Sequence, residues 1–274
     1  VLRAVRWLLV VAAALYGTVC LLAFLAQRRL LYFPDRYPED AALRAAAGRG
    51  LSPWRDAGGA LIGWRMPAGP AARARALVLH GNAGSALDRL HYASALARRG
   101  VEVVLLEYPG YGARPGAPTV AALGAAAAEA LDQLAREGPA PIWVLGESLG
   151  TGVAGRAVAL RPGLVSGLAL VTPFARMTDV VGLHYPWLPR LLLRDRYAPE
   201  EDLAAWRGPT WLVLAGRDEV VGVHQGLRLA DGLRGPRRVQ LQEQGTHDGL
   251  ALGPDEPFWA ELVEFLEGGA AQGR

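Results

Sequence analysis

Gly146, Glu147, Ser148, Leu149 and Gly150 form the pattern Gly-x-Ser-x-Gly. Small residues two positions either side of a serine allow a sharp turn that leaves the hydroxyl exposed. The pattern alone is a weak signal, because small residues at three fixed positions recur by chance. Its weight depends on what else the chain can bring to the serine. A serine hydroxyl is a poor nucleophile at neutral pH and needs a general base, which in turn needs an acid to orient it. Of the five histidines, His247 is the best candidate base: it lies in Gln244, Gly245, Thr246, His247, just after the last strand-like run, Arg238 to Gln242. Asp218, in Gly216, Arg217, Asp218, Glu219, follows the apolar run Trp211 to Ala215 and is the candidate acid, with Glu219 the nearest substitute. Together these residues would perform acyl transfer, which also requires backbone N–H groups to meet the developing oxyanion. Leu149, immediately after the serine, is one candidate donor. Asn82, in the turn His80, Gly81, Asn82, Ala83, Gly84, is the other. His80 reads as an organiser of that turn rather than as a base. His91 and His224 fall within or at the start of helical segments and read as packing or surface residues. His184 and Tyr111 are candidate substrate contacts.

The elements around these residues alternate in type. Strands are expected at Leu61 to Met66, Arg75 to His80, Val101 to Glu107, Ile142 to Gly146, Leu164 to Val171, Trp211 to Ala215 and Arg238 to Gln242. Helices are expected at Leu87 to Arg99, from a cap at Thr119 to about Arg136, at Leu149 to Leu160, through Gln225 to Leu233 and from about Glu256 to Leu266. Short apolar strands alternating with helices indicate an α/β domain with a mostly parallel sheet covered on both faces. In such a sheet ligands gather at the carboxyl ends of the strands, where Ser148, Asp218, His247 and Asn82 all fall. The expected organisation is an anchor over 1–29, a linker and domain entry over 30–60, the α/β domain over 61–268 and a tail over 269–274. Within the domain a small cap is expected at about 173–206, where aromatics, prolines and arginines interrupt the alternation.

Trp7 to Ala26 runs about 20 residues without a formal charge, enough for a helix to cross a bilayer core. Arg3 and Arg6 precede it, Arg28 and Arg29 follow it, and no small-residue cleavage site ends it, so an uncleaved single-pass anchor is expected. The arginines on both flanks balance and leave the orientation open. All 29 basic residues are Arg, alongside heavy Ala, Gly and Pro use, a bias that suggests a GC-rich bacterial genome and hence a bacterial inner membrane. The net charge of +3 comes from scattered arginines and not from a basic stripe, so nucleic acid is not expected as a partner. Cys20 is the single cysteine, which rules out an intrachain disulfide. No His/Cys cluster suggests a metal, and no cofactor is expected.

With these motifs in place, the chain resembles the α/β-hydrolase superfamily, and more narrowly the Bem46-type proteins related to the α/β-hydrolase-domain proteins 13 and 17. The resemblance rests on the apolar N-terminus followed by Gln27 to Pro34, on His80 to Gly84, Tyr108 to Gly112 and Gly146 to Gly150, and on Pro173, Phe174 and His184 to Pro189. It implies triad roles for Ser148, Asp218 and His247 and hydrolysis of an ester or thioester of a small or acylated substrate. Two loops depart from the group's pattern. The proline often found three residues after the acid is absent from Asp218 to Gly222, and Thr246 and Asp248 flank the histidine where Gly and Asn are common. Two other readings stand beside this one: a non-catalytic membrane scaffold that keeps the fold, and a serine peptidase.

Overall fold

Alternate side chains of Ala74–Leu79 face opposite ways, as the period of a strand requires. Leu77 and Leu79 enter one buried cluster; Ala74, Ala76 and Val78 enter another. These two clusters are the two faces of a central sheet in the computed structural model, which describes residues 1–69 and 72–272. In chain order the strands are β1 (Phe33–Pro34), β2 (Ser52–Arg55), β3 (Leu61–Met66), β4 (Ala74–Leu79), β5 (Ala83–Gly84), β6 (Val101–Leu106), β7 (Ile142–Glu147), β8 (Gly167–Val171), β9 (Thr210–Ala215) and β10 (Arg237–Gln242). Eight of them form one sheet in the order β10-β9-β8-β7-β4-β6-β3-β2, while β1 and β5 make a separate parallel pair. Neighbours from β10 to β6 are parallel; β3 runs antiparallel to both β6 and β2.

The helices are α1 (Leu2–Leu31), α2 (Glu39–Ala47), α3 (Leu90–Ala97), α4 (Val120–Arg136), α5 (Leu149–Leu160), α6 (Met177–His184), α7 (Pro199–Asp202), α8 (Val223–Gly232) and α9 (Phe258–Gln272). One sheet face is covered by α4, α5, α8 and the segment between β8 and β9, the other by α2, α3 and α9. The Thr119 hydroxyl caps α4 by accepting from the Ala122 N–H at 3.0 Å. The segment expected to be one helix from Leu87 divides into a 3₁₀ turn (Ala86–Arg89) and α3. Ser85 and Asp88 close a capping box over its start. The strand expected from Leu164 begins at Gly167, because the Leu164 N–H closes a turn onto the Arg161 carbonyl.

The stretch expected as a linker is packed onto the domain. Ala42, Ala46, Leu51 and Trp54 are buried, and β2 forms the sheet edge. Ser-Pro-Trp-Arg is too short and too interrupted by proline to read as a strand in sequence, yet an edge strand tolerates proline because one side of its ladder is unpaired. Of the tail expected over 269–274, α9 runs through Gln272, and residues 273 and 274 lie outside the described residues.

Helix α1 has 30 residues and is long and apolar enough to cross a membrane. Most of it stands clear of the domain, but its last turns do not. Asp195, in the segment before α7, accepts from Arg28 Nε at 2.8 Å and from the Val120 N–H at 3.1 Å. One carboxylate thus joins the end of α1, the β8–β9 segment and the first turn of α4, where a negative charge is favourable. The Asp195 side chain is 2% exposed and Arg28 40% exposed. In Asp195→Ala the Val120 N–H loses its acceptor while Arg28 turns to water. The expected loss is therefore about 2 kcal/mol, below the 3–5 of a fully buried pair, read as a lower urea midpoint in detergent.

Candidate active site

Ser148 occupies the one-residue gap between β7 and α5, with φ 50° and ψ −116°. A positive φ strains a non-glycine residue and survives only where the surroundings over-determine it. The Ser148 N–H donates to the Val171 carbonyl at 2.9 Å, so the neighbouring strand β8 holds the turn. The flanking glycines are required by close approach. A Cβ on Gly146 would lie 2.6 Å from the Gly150 carbonyl oxygen, and one on Gly150 would collide with the carbonyl of Leu79. These contacts seat the start of α5 directly on the end of β4, beside the Asn82 turn.

Asp218 follows β9 and His247 follows β10, so parallel pairing carries both to the edge where Ser148 sits. His247 Nε2 is 2.9 Å from Ser148 Oγ, and His247 Nδ1 is 2.9 Å from each carboxylate oxygen of Asp218. The two side chains are only 7% and 3% exposed. Burial pushes the Asp218 carboxyl up, but the imidazole and the N–H groups of Val221 and Val220 oppose this, and the net shift is downward. Burial depresses His247, and its bond to Asp218 and the nearby carboxylates outweigh that, so the imidazole lies above its usual 6.5. Glu219, the alternative acid, instead accepts from the His247 N–H at 3.3 Å and does not reach the ring.

The Asn82 N–H shares a peptide plane with the Gly81 carbonyl, which lies 2.9 Å from His80 Nδ1. Burial, with Arg89 adding to it, lowers His80 to about 3, so the ring is neutral and donates from Nδ1 to Gly81. The next carbonyl, of Asn82, accepts from the Phe33 N–H at 2.9 Å and the Tyr111 hydroxyl at 2.7 Å. Three bonds therefore fix the two peptide planes around Asn82. Leu149, as the first residue of α5, has an N–H with no carbonyl one turn earlier to accept it. The geometry thus assembles Ser148, His247 and Asp218 in one hydrogen-bonded line, with the Asn82 turn and Leu149 alongside.

His184 and Tyr111 are placed elsewhere. Tyr111 is fully buried and packs edge-on to His80 at 5.0 Å, with its hydroxyl committed to Asn82; it supports the turn from beneath and has no surface to offer a substrate. His184 Nε2 lies 2.6 Å from the Val220 carbonyl, so it braces the Asp218 loop from the β8–β9 segment. Among the described residues no three His, Cys, Asp or Glu side chains cluster as a metal site would require.

The chain is similar to known proteins over most of its length. A family described as serine aminopeptidase, S33, matches residues 70–200. An uncharacterized protein of Mycobacterium tuberculosis is 36% identical over 282 residues, covering 99% of this chain and 98% of its own. The lysophosphatidylserine lipase ABHD12 of Gallus gallus is 30% identical, covering 83% of this chain and 71% of its own. The chain belongs to the α/β-hydrolase superfamily. Bem46 of Schizosaccharomyces pombe is a further relative, 26% identical over 72% of this chain and 68% of its own. An esterase of Pyrococcus furiosus superposes with a TM-score of 0.64 at 16% identity, over 87% of this chain and 97% of that one, a likeness of fold.

Around this α/β-hydrolase core lies a cleft of about 380 Å³, lined by Arg89, His91, Glu147, Thr172, His247 and Asp248 among others. Glu147, the variable residue before the serine, pairs with Arg89 through two bonds of 2.7 and 3.1 Å. The pair lies beside the Ser148 turn, and sequence reasoning missed it because its members are 58 residues apart and form no motif. Thr172 was missed as well. It has φ 45° at the end of β8, one residue after the carbonyl that holds Ser148, and only the backbone reveals it.

Proposed function

We propose that this α/β-hydrolase is a membrane-anchored serine hydrolase that transfers the acyl group of an ester or thioester to water. The observation that carries the reading is the hydrogen-bonded line from Ser148 Oγ through His247 to Asp218. His247 Nε2 takes the hydroxyl proton as Ser148 Oγ attacks the substrate carbonyl. The N–H groups of Leu149 and Asn82 receive the oxyanion. Collapse of the tetrahedral intermediate expels the alcohol or thiol, which takes the proton back from His247 and leaves an acyl-serine. Water then attacks the acyl group with His247 again as base, the acyl–Oγ bond breaks as Ser148 Oγ takes the proton from His247, and the carboxylic acid leaves. Asp218 keeps the proton on Nδ1 and balances the imidazolium in both steps.

The anchor in this reading is α1, with residues 7–26 as the span. The exclusively arginine basic set points to a bacterial inner membrane. The 173–206 segment serves as the cap, and the domain includes α2 and β2 as well as the stretch from 61 onward, because α2 packs on the central sheet and β2 belongs to it. A peptidase reading draws on the description of the matching family, but the acidic groups in the cleft are largely spent: Glu147 on Arg89 and Asp88 on the Ser85 N–H. That leaves Asp248 to meet a substrate amine. Purified protein treated with a fluorophosphonate probe should label, and Ser148→Ala should not. A folded wild type that stays unlabelled overturns the proposal. Competition with aryl esters, acyl thioesters and aminoacyl amides separates the bond types.

A further inference from the structure

The segment between β8 and β9 runs along α1 and does not fold away from it. The Tyr16 hydroxyl donates to the Trp187 carbonyl at 2.8 Å. Farther along, Gln27 Nε2 donates to the Leu192 carbonyl at 3.2 Å, and Gln27 Oε1 accepts from the Arg194 N–H at 2.6 Å. From Tyr16 to Gln27 a helix rises about 16 Å. If Ala26 ends the span at the bilayer surface, Tyr16 lies about 15 Å deep along the axis of an untilted helix, near the middle of a core about 30 Å thick. A segment hydrogen-bonded to Tyr16 cannot then stay in bulk water.

Its side chains suit the same placement. Leu183, Tyr185, Trp187 and Leu191 are 53, 44, 47 and 73% exposed, a run of large apolar groups that gains nothing by facing water. Tyr185 and Trp187 stand edge to face at 6.2 Å, and such rings favour the boundary between acyl chains and headgroups. The arginines of the segment are engaged within the protein. Arg190 pairs with Asp179 at 2.9 Å, Arg196 donates to the Leu191 and Leu193 carbonyls, and the Arg194 guanidinium lies 5.3 Å from the centre of the Phe24 ring. Long arginine side chains so placed can keep their charge at the surface while their stems lie in lipid.

We propose that Leu183 to Leu192 is embedded in the bilayer leaflet that surrounds the C-terminal half of α1, so that the domain stands on the membrane at two points. The inference rests on the anchored-hydrolase reading and extends it. A tilt of α1 between about 20 and 40° reduces the depth of Tyr16 only to about 14–11 Å, so its contact lies deeper than the 5–10 Å usual for interfacial helices. Because His184 holds the Val220 carbonyl, and the Val220 N–H holds Asp218 Oδ1 at 3.0 Å, the embedded segment is bonded directly to the loop of the candidate acid. The site then lies at the lipid surface.

The test uses the full chain in phosphatidylcholine/phosphatidylglycerol vesicles, with Cys20→Ser as background and single cysteines at Leu191, Leu9 and Leu241 carrying an environment-sensitive fluorophore. Retained fluorophosphonate labelling selects folded variants. The probe at 191 should be quenched at least about threefold more by lipids spin-labelled near the headgroup than the probe at 241 on β10, and less by aqueous iodide. A lipid-quenched probe at 9 with a water-like probe at 191 overturns the inference and leaves the anchor standing. Water-like behaviour at both positions removes the anchor reading and the inference together. A probe at 191 shielded from iodide yet untouched by the lipid quencher shows that another protein surface covers the segment, which also overturns the inference.

Discussion

Ser148→Ala is expected to lower kcat on an activated ester by about 10⁶-fold, to the level left by oxyanion binding alone, while the protein remains folded. The expectation follows from the proposed route, in which no other group on the edge carries an acyl intermediate. Ser148 contributes one side-chain hydrogen bond, to His247, so stability should change by only about 1 kcal/mol. Steady-state hydrolysis and a urea melt of the same preparation check both halves. A residual rate within about tenfold of wild type would remove Ser148 from the reaction.

Asp218→Asn is expected to reduce kcat by about 10⁴-fold and to move the acid limb of the pH profile. Asp218 Oδ1 accepts from the N–H groups of Val220 and Val221 at 3.0 and 2.8 Å, and these two donors will select the oxygen of an asparagine. The asparagine NH₂ then takes the place of Oδ2 against His247 Nδ1. Because Oδ1, also 2.9 Å from Nδ1, already accepts from two N–H groups, a donor in place of Oδ2 favours the ring proton on Nε2, and that tautomer cannot accept from Ser148. The pH effect has a definite sign. In wild type the imidazole must be neutral to act as base and lies above 6.5, so activity falls as pH drops through a value above 6.5. Without the carboxylate, burial is left to depress the imidazole, and the residual activity should fall at a lower pH than in wild type. A profile of kcat/KM against pH for both proteins tests the shift, and an unmoved acid limb would show that Asp218 is not the partner that sets it.

Much of the fold was legible because its signals are local. Strand β3 and helix α5 have the expected bounds, and α4 starts at its Thr119 cap, since alternation, helical periodicity and a capping hydroxyl each act within a few residues. Strand β2 was not legible, because its four residues include a proline that only an edge position accommodates. Tyr111 was misread for a related reason: a tyrosine in a glycine-rich turn looks available, and only packing showed it beneath the Asn82 loop with its hydroxyl already used.

By itself the sequence determined the order of the elements, the α/β class, the apolar N-terminal segment and the residue types able to do acyl chemistry at the carboxyl ends of the strands. These properties depend on side-chain type and near-neighbour spacing. Tertiary structure alone decided that Asp218, and not Glu219, meets the His247 ring, that Tyr111 holds the Asn82 carbonyl, and that Arg89 pairs with Glu147 beside the Ser148 turn. It also decided that the apolar helix is bound along its C-terminal half to the segment between β8 and β9. Each of these depends on distances and directions that the packing of strands, loops and helices sets, and no local pattern encodes them.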